Sequence, residues 1–175
     1  MTKSGEVRII GGVWRRSKLP VLNLPGLRPS GDRLRETLFN WLPHDLSGWR
    51  VLDAFAGSGA LGLEAASRGA TVHLVEREPK AAASLKQVIA RLQGAGDRVT
   101  LIVGDGFAAL AGRWDLVLID PPFEANGFAK ALSAAAGAGW IYLEAPAAFE
   151  PPAGYRLHRH LKAGAVHAHL FARDN

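Results

Sequence analysis

The stretch over residues 51–69 constrains the fold more than any other part of the chain. A short apolar segment ends at Asp53, and a glycine-rich turn follows at Gly57, Ser58 and Gly59. Apolar residues then recur at helical spacing to the end of the stretch. This order of strand, tight turn and helix is typical of the first unit of a doubly wound α/β sheet. Because glycine lets a ligand approach the backbone closely, the turn predicts a binding site.

The glycine turn also resembles a dinucleotide site. Gly57-Ser-Gly59-Ala-Leu-Gly62 matches the G-x-G-x-x-G fingerprint of such sites. Asp53 argues against a dinucleotide, because a carboxylate at the end of the first strand would repel a pyrophosphate. The same carboxylate would attract a ligand with an ammonium and a sulfonium group, and S-adenosylmethionine carries both. The turn therefore predicts this cofactor, with a dehydrogenase cofactor or a turn that only joins strand to helix as the alternatives.

Acidic residues follow the carboxyl ends of the first four predicted strands. They are Asp53, Glu76, Asp105 and Asp120. Because ligands of open α/β sheets bind beyond these ends, we expect one shared cleft. In it Glu76 would accept from both ribose hydroxyls, Asp105 would accept from the adenine amine, and Asp53 would face the methionine end. The full predicted cofactor set is Asp53, Phe55, Gly57, Ser58, Gly59, Glu76, Arg77, Asp105 and Gly106.

The segment Asp120-Pro121-Pro122-Phe123 predicts the chemistry. Two consecutive prolines fix the backbone just beyond a buried strand, so the carboxylate and a carbonyl of the turn point one way. An exocyclic base amine is a poor nucleophile because its lone pair is delocalised into the ring. Accepting both amine hydrogens would aim that lone pair, with Phe123 stacked on the base, and such orientation is worth up to ~7–11 kcal/mol. The base must be flipped out or already unpaired.

The absence of cysteine narrows the chemistry further. It excludes disulfides, cysteine-ligated zinc and thiolate attack on pyrimidine C5. Four histidines of a predicted hairpin form two pairs, His158 with His160 and His167 with His169, and the members of each pair lie two residues apart and share a face. Because no acid accompanies them, we interpret them as outward polar positions and expect no metal. No apolar stretch is long enough for a membrane span and no leader pattern is seen, so we expect a cytoplasmic protein.

The remaining elements alternate in the manner of a single α/β domain of 175 residues. The predicted helices cover residues 28–42 (with Ser30 as N-cap), 79–93, 107–110 and 128–136. Further strands are predicted over 71–75, 99–103, 114–119 and 140–143, and strands over 156–161 and 165–172 would close the chain as an antiparallel hairpin.

Positive charge is concentrated at the N-terminus. Residues 1–35 hold eight Lys or Arg against two acids, a formal +6, whereas the rest of the chain carries −1. Such an asymmetric charge distribution is expected for a protein that binds a polyanionic partner. Residues 7–21 predict two strands around Gly11-Gly12, with Trp14 among cations, which suits phosphate contacts and stacking on an unpaired base. The alternative is a solvated hairpin whose Trp14 packs on the core. The predicted RNA-contacting residues are Arg8, Trp14, Arg15, Arg16, Lys18, Arg28 and Arg35.

Four sequence blocks occur in order over most of the first 125 residues. They are Arg8-Ile-Ile-Gly-Gly-Val-Trp14 with Lys18-Leu-Pro20, Arg28-Pro29 with Asp32–Leu42, Asp53–Ala70, and Asp120–Phe123. Together they resemble the bacterial 16S ribosomal RNA guanine-N2 methyltransferases of the RsmD type. The chain departs from that pattern at Arg16 and Ser17, where glycine and arginine are expected, and at Gly31, where a polar residue is expected.

The resemblance implies a Rossmann-like class I S-adenosylmethionine-dependent methyltransferase with a seven-stranded, mostly parallel sheet and a C-terminal antiparallel hairpin. A basic N-terminal extension over 1–27 would precede a methyltransferase domain over 28–175. The resemblance implies that a monomer methylates one guanine N2 of 16S ribosomal RNA within an assembled or assembling small subunit, with catalysis at Asp120 through Phe123. Alternatives are methylation of an exocyclic amine of another RNA or DNA base, and a non-catalytic ribosome-assembly protein that only holds RNA.

Overall fold

The computed structural model describes residues 5–22, 32–121 and 126–175. The strands within these ranges are β1 (Gly5–Arg8), β2 (Lys18–Val21), β3 (Arg50–Asp53), β4 (Thr71–Glu76), β5 (Val99–Val103), β6 (Trp114–Ile119), β7 (Ala138–Ala145), β8 (Tyr155–Ala163) and β9 (Val166–Arg173). The helices are α1 (Asp32–Trp41), α2 (Ala60–Ser67), α3 (Pro79–Arg91), α4 (Gly106–Leu110) and α5 (Asn126–Ala134), and a 3-10 turn covers Ala95–Asp97.

The larger sheet has seven strands in the order β5-β4-β3-β6-β7-β9-β8. The strands from β5 to β7 in this order are parallel, β9 is antiparallel to β7, and β8 is antiparallel to β9. The order reverses at β3, because the chain builds outward through β4 and β5 and then returns to the other side of β3. Ligands bind next to such a reversal. The predicted sheet with its closing hairpin is confirmed.

Helices cover both faces of this sheet. The helices α1, α2 and α3 pack on one face, where Leu38, Leu63 and Leu85 join a common core. The helices α4 and α5 pack on the other face, where Leu110 and Phe128 are buried. All eight residues of α2 are buried, so the helix that follows the glycine turn lies at the centre of the molecule.

The N-terminal hairpin shares the core of the larger sheet. Val7 and Leu19 pair across β1 and β2, and both are buried with residues of α1 and α2. The connection over residues 9–17 is longer than the predicted turn, because its Gly12 lies against α2: a Cβ there would overlap the Ser67 carbonyl oxygen. The predicted domain boundary after residue 27 falls outside the described residues and stays a prediction.

Element boundaries differ modestly from those predicted. β7 is longer because its ends pair with neighbouring strands, Ala138 with Trp114 of β6 and Ala145 with His167 of β9. The predicted cap Ser30 lies outside the described residues. Across the described ranges, no helix combines the length and apolarity that a bilayer span needs.

Candidate active site

Four acids meet at the carboxyl edge of the parallel strands. Asp53 and Glu76 are the last residues of the neighbouring strands β3 and β4, and Asp120 directly follows β6. Asp105 follows β5 by two residues and precedes α4. Parallel strands bring their carboxyl ends to one edge, so the structure groups the four acids as predicted. We refer to these four residues as the acid edge.

Glu76 fixes the glycine turn. Its Oε1 accepts a hydrogen bond from the Gly57 amide at 2.9 Å, and its Oε2 accepts one from the Glu78 amide at 2.9 Å. Gly57 and Gly59 have φ values of 56° and 82°, a left-handed conformation that glycine adopts without strain. Because a carboxylate oxygen can accept twice, Glu76 retains acceptor capacity toward a ligand.

Asp53 is a buried member of the acid edge. It is 1% exposed, and its Oδ2 accepts a hydrogen bond from the Gly62 amide of α2 at 3.0 Å. A Cβ at Gly62 would lie 3.0 Å from the Asp53 Cβ, so glycine allows α2 to approach the strand this closely. The Phe55 amide lies near enough to the same carboxyl to lower its pKa, but Asp53 Oδ1 has no well-aligned hydrogen bond among the described residues. A buried acceptor of this kind suits a ligand that brings its own donor.

The environment of Asp53 disfavours its ionisation. Burial raises the pKa of Asp53 to about 7. The Gly62 amide lowers this pKa, whereas the charges of Asp120 and Glu76 raise it further. The three carboxylates therefore repel one another, and a cationic ligand would relieve that repulsion.

The raised pKa predicts how stability depends on pH. Unfolded Asp53 ionises near pH 3.8 and folded Asp53 near pH 7, so its carboxyl stabilises the fold at low pH and loses this contribution as the pH rises through 7. Between pH 4 and 8 we expect the free energy of unfolding to fall by up to about 4 kcal/mol relative to Asp53→Asn, which cannot ionise. Urea denaturation of both proteins across this range measures the difference. Parallel pH curves would contradict the prediction.

Asp105 and Gly106 begin the short helix beside the acid edge. Asp105 is exposed, and its Oδ1 accepts a hydrogen bond from the Phe107 amide at 3.0 Å. A Cβ at Gly106 would overlap the Ala54 carbonyl oxygen, so α4 starts directly against the chain leaving β3. The rings of Phe55 and Phe107 meet edge to face with centroids 5.5 Å apart. They provide an apolar surface of the kind a planar base requires.

The other predicted residues of the site divide into described and undescribed ones. Ser58 lies in the glycine turn, and its Oγ accepts a long hydrogen bond of 3.4 Å from the Ala60 amide. Arg77 is exposed beside Glu76, Asp120 is partly buried and Pro121 is buried. Pro122 and Phe123, the rest of the predicted catalytic segment, lie outside the described residues.

The acid edge has the features that S-adenosylmethionine needs. The buried Oδ1 of Asp53 can accept a hydrogen bond from the ligand, and Glu76 holds the glycine turn while keeping acceptor capacity. Phe55 and Phe107 flank the same edge, and the grouped carboxylates favour a cation. These residues would hold the cofactor.

The histidines of β8 and β9 form a separate cluster. His160 Nε2 and His167 Nδ1 lie 2.9 Å apart, and the rings of His160 and His169 lie 5.1 Å apart. His169 is 1% exposed, and its Nε2 accepts a hydrogen bond from the Phe149 amide at 3.0 Å. The predicted outward position is therefore wrong for His169, because Phe149 packs over it. In the described part of the chain, no three His, Cys, Asp or Glu side chains are placed so that they could hold a metal ion.

Two of the predicted RNA-contacting residues are buried. Trp14 is 5% exposed and its Nε1 donates to the Gln93 carbonyl at 2.8 Å, so it packs on the core and is not available to stack on a base. Arg35 is fully buried; its Nη2 donates to Asp32 at 2.8 Å, and its Nη1 lies 3.8 Å from Glu64. Both side chains are buried and make contacts within the fold, which corrects their predicted role as RNA contacts.

The other described residues that are predicted to contact RNA are exposed. They are Arg8, Arg15, Arg16 and Lys18, whereas Arg28 lies outside the described residues. Arg16 has a φ of 73°, an uncommon conformation for a residue with a Cβ. This is the position at which the resembled family is expected to carry glycine.

The sequence prediction missed the residues that attach the loop over 9–17 to α2. Glu64 is fully buried, and its two carboxylate oxygens accept hydrogen bonds from the amides of Ile10 at 2.8 Å and Gly11 at 2.9 Å. Ser67 Oγ donates to the Gly11 carbonyl at 2.6 Å. A signal was available in the sequence: a glutamate within an otherwise apolar helix requires buried partners.

Comparison with known proteins agrees with this geometry. Residues 7–172 match the family described as Conserved hypothetical protein 95. The chain is 41% identical over 184 residues to ribosomal RNA small subunit methyltransferase D of Escherichia coli strain K12, an alignment that covers 98% of this chain and 92% of that protein.

Solved structures show the same fold. Methyltransferase yhhF from Escherichia coli has a TM-score of 0.85 at 36% identity, covering 97% of this chain and 99% of that one. A Thermus thermophilus 16S rRNA N2 methyltransferase in complex with AdoMet and guanosine has a TM-score of 0.67 at 25% identity, covering 99% of this chain and 50% of that one. With a family match over nearly its whole length and a near full-length relative, the chain belongs to the Conserved hypothetical protein 95 family, that of the ribosomal RNA small subunit methyltransferase D proteins.

Proposed function

We propose that the protein transfers a methyl group from S-adenosylmethionine to the exocyclic N2 amine of a guanine in small-subunit ribosomal RNA. The observation that carries the proposal is the acid edge beside the glycine turn, in a chain 41% identical to an rRNA small subunit methyltransferase. The Thermus relative, whose name specifies 16S rRNA and N2, supports the position on the base. The family match favours a methyltransferase over the dehydrogenase alternative.

The described residues of the cofactor site have distinct roles in this proposal. Asp53 would accept a hydrogen bond from the ligand at its buried Oδ1, and Glu76 would accept from hydroxyls with its remaining lone pairs. Phe55 and Phe107 would contact the adenine. The cofactor supplies an electrophilic methyl group on a sulfonium.

Asp120 would bind the guanine amine. It follows β6, the strand next to β3, and its charge acts on Asp53, so the two carboxylates lie within electrostatic range of each other. Pro121 is buried directly after it and limits the freedom of the turn. By accepting amine hydrogens, Asp120 and the turn would orient the nitrogen lone pair toward the methyl group, and orientation is the main catalytic effect we assign to this segment.

Methyl transfer to ribosomal particles tests the function directly. Unmodified small subunits and naked 16S rRNA are incubated with labelled S-adenosylmethionine, and the product base is mapped by mass spectrometry. We expect N2-methylguanine at one position, formed faster in assembled or assembling subunits than in naked RNA. Methylation of another base would support the broader nucleic-acid alternative. RNA binding without incorporation would support the non-catalytic assembly role.

Neutralising the exposed cations of the N-terminus is expected to weaken RNA binding. In the triple variant Arg15→Gln, Arg16→Gln, Lys18→Gln, we expect at least a tenfold loss of affinity and a salt-dependence slope smaller by about two, since each lost phosphate contact removes roughly 0.7–0.9. Binding to small-subunit RNA over a range of KCl concentrations measures both. Arg113→Gln, an exposed cation preceding β6, is the control. An unchanged salt-dependence slope in the triple variant would show that these three residues do not contact RNA phosphates.

A further inference from the structure

Two cations face each other across the N-terminal hairpin. Arg8 and Lys18 are direct cross-strand partners of β1 and β2, and both are exposed. Like charges in this relation destabilise a two-stranded sheet. Glu6 lies 3.9 Å from the Lys18 ammonium, but with 59% and 55% of the two side chains exposed this ion pair offsets little of the repulsion. An anionic partner would relieve it.

A third cation reaches the same place from α3. Arg91 is exposed in the last turn of that helix, and its Nη2 donates to the Lys18 carbonyl at 2.7 Å. Neither Arg8 nor Arg91 makes an ion pair with another residue of the described ranges. Because a guanidinium has five N–H donors, Arg91 keeps most of them for a ligand.

Contacts just after Arg91 in the chain hold the end of α3 and the hairpin loop together. Trp14 Nε1 donates to the Gln93 carbonyl at 2.8 Å, just beyond the end of α3. Arg98 lies over the Trp14 ring at 5.8 Å, and its Nη1 donates to the Ala66 carbonyl at 3.0 Å. Arg98 is therefore engaged within the fold, whereas Arg91 remains on the surface.

We propose that Arg8, Lys18 and Arg91 bind backbone phosphates of the ribosomal RNA, so that the RNA interface extends from the hairpin onto the far end of α3. This inference rests on the RNA substrate proposed above. A guanidinium can make two parallel hydrogen bonds to phosphate oxygens, and Arg8, Lys18 and Arg91 are all exposed. We refer to these three residues as the hairpin–α3 surface.

The position of this surface defines what it does. The helix α3 begins next to Glu76 of the acid edge, where Glu78 caps it, and runs 13 residues to Arg91, or about 20 Å. Arg91 would therefore contact RNA about 20 Å from the start of α3 beside the acid edge. The hairpin–α3 surface contributes affinity for a large folded substrate and takes no part in cofactor binding.

Binding of small-subunit RNA by Arg91 variants over a range of KCl concentrations tests the inference. For Arg91→Gln we expect about fivefold weaker binding and a salt slope smaller by about one, whereas Arg91→Lys keeps the charge and most of the slope. Lys86→Gln is the matched control: Lys86 is exposed on the same helix, five residues earlier and about 140° around it. Its binding curve should match that of the unmodified protein, as should S-adenosylhomocysteine affinity in every variant.

The outcomes separate this inference from the proposed function. An unchanged salt slope in Arg91→Gln would overturn the inference. Equal weakening of RNA binding by Lys86→Gln would also overturn it, because it would indicate a general charge effect. If Arg91→Gln lowers the melting temperature but leaves the salt slope unchanged, Arg91 only stabilises the hairpin. That result would also overturn the inference. If the unmodified protein itself neither binds nor methylates small-subunit RNA, the proposed function fails.

Discussion

Replacement of Asp120 by alanine is expected to reduce methyl transfer by about 10³-fold or more, while cofactor affinity changes by no more than a few-fold. The carboxylate follows β6 at the reversal of the strand order, where it would hold the guanine amine. Loss of one preorganised polar group that acts on the reacting atoms costs on the order of 10²–10³ in rate, and lost orientation of the amine adds to it. Single-turnover methylation of unmodified small subunits, with calorimetry of S-adenosylhomocysteine binding, measures the two effects separately.

Asp115 offers a matched control on the same strand. It lies near the opposite end of β6, where its Oδ2 accepts a hydrogen bond from the Arg50 amide at 2.7 Å. Asp115→Asn preserves an acceptor there and lies away from the acid edge, so we expect methylation close to that of the unmodified protein. Full turnover in Asp120→Ala would show that Asp120 has no catalytic role. Equal losses of methylation activity in Asp120→Ala and Asp115→Asn would indicate a general effect on the strand.

Replacement of Glu64 by alanine is expected to lower the free energy of unfolding by about 3–5 kcal/mol, because it leaves the buried Arg35 with only the exposed Asp32 as an ionic partner. Glu64 and Arg35 are both fully buried, 3.8 Å apart at the closest oxygen and nitrogen. The glutamate also accepts from Arg68 Nε at 3.0 Å and from the amides of Ile10 and Gly11. All of these donors would lose their acceptor at once. Urea denaturation at neutral pH measures the loss.

Two further variants make the Glu64 prediction specific. Glu36→Ala removes an exposed glutamate of α1 and should change the free energy of unfolding by no more than about 0.5 kcal/mol. Adding Arg35→Met to Glu64→Ala removes the buried cation as well, so the double variant should be less destabilised than the sum of the single ones. Additive losses, or a loss below about 1 kcal/mol in Glu64→Ala, would show that the pair is not coupled.

The helix α2 connects the glycine turn to the loop over residues 9–17. In its first turn, the Gly62 amide donates a hydrogen bond to the Asp53 carboxylate. Its later residues Glu64 and Ser67 make hydrogen bonds with the loop over 9–17. The proposed RNA-contacting loop and the cofactor turn are therefore built on opposite ends of one buried element. Glu64→Ala should accordingly weaken RNA binding even though Arg15 and Arg16 keep their charges.

The sheet and the shared edge of its acids could be predicted from the sequence. Local apolar patterns locate the strands, and parallel strands in an α/β fold bring their carboxyl ends to one edge. Asp53, Glu76 and Asp120 could therefore be assigned to one cleft from their positions after apolar segments. The glycine turn was equally predictable, since Gly57 and Gly59 adopt the backbone conformations that favour glycine.

Which side chains of the basic N-terminus face solvent depends on the packing of elements that are distant in the sequence. Trp14 is buried because it meets the Gln93 carbonyl, 79 positions away, and Arg35 is buried beside Glu64 of another helix, with which it forms an ion pair. Arg91 joins the hairpin cations through a contact with Lys18 across 73 positions. A charge or ring in a local pattern does not reveal such distant partners, because burial of a polar group depends on which donors and acceptors the packed elements bring to it.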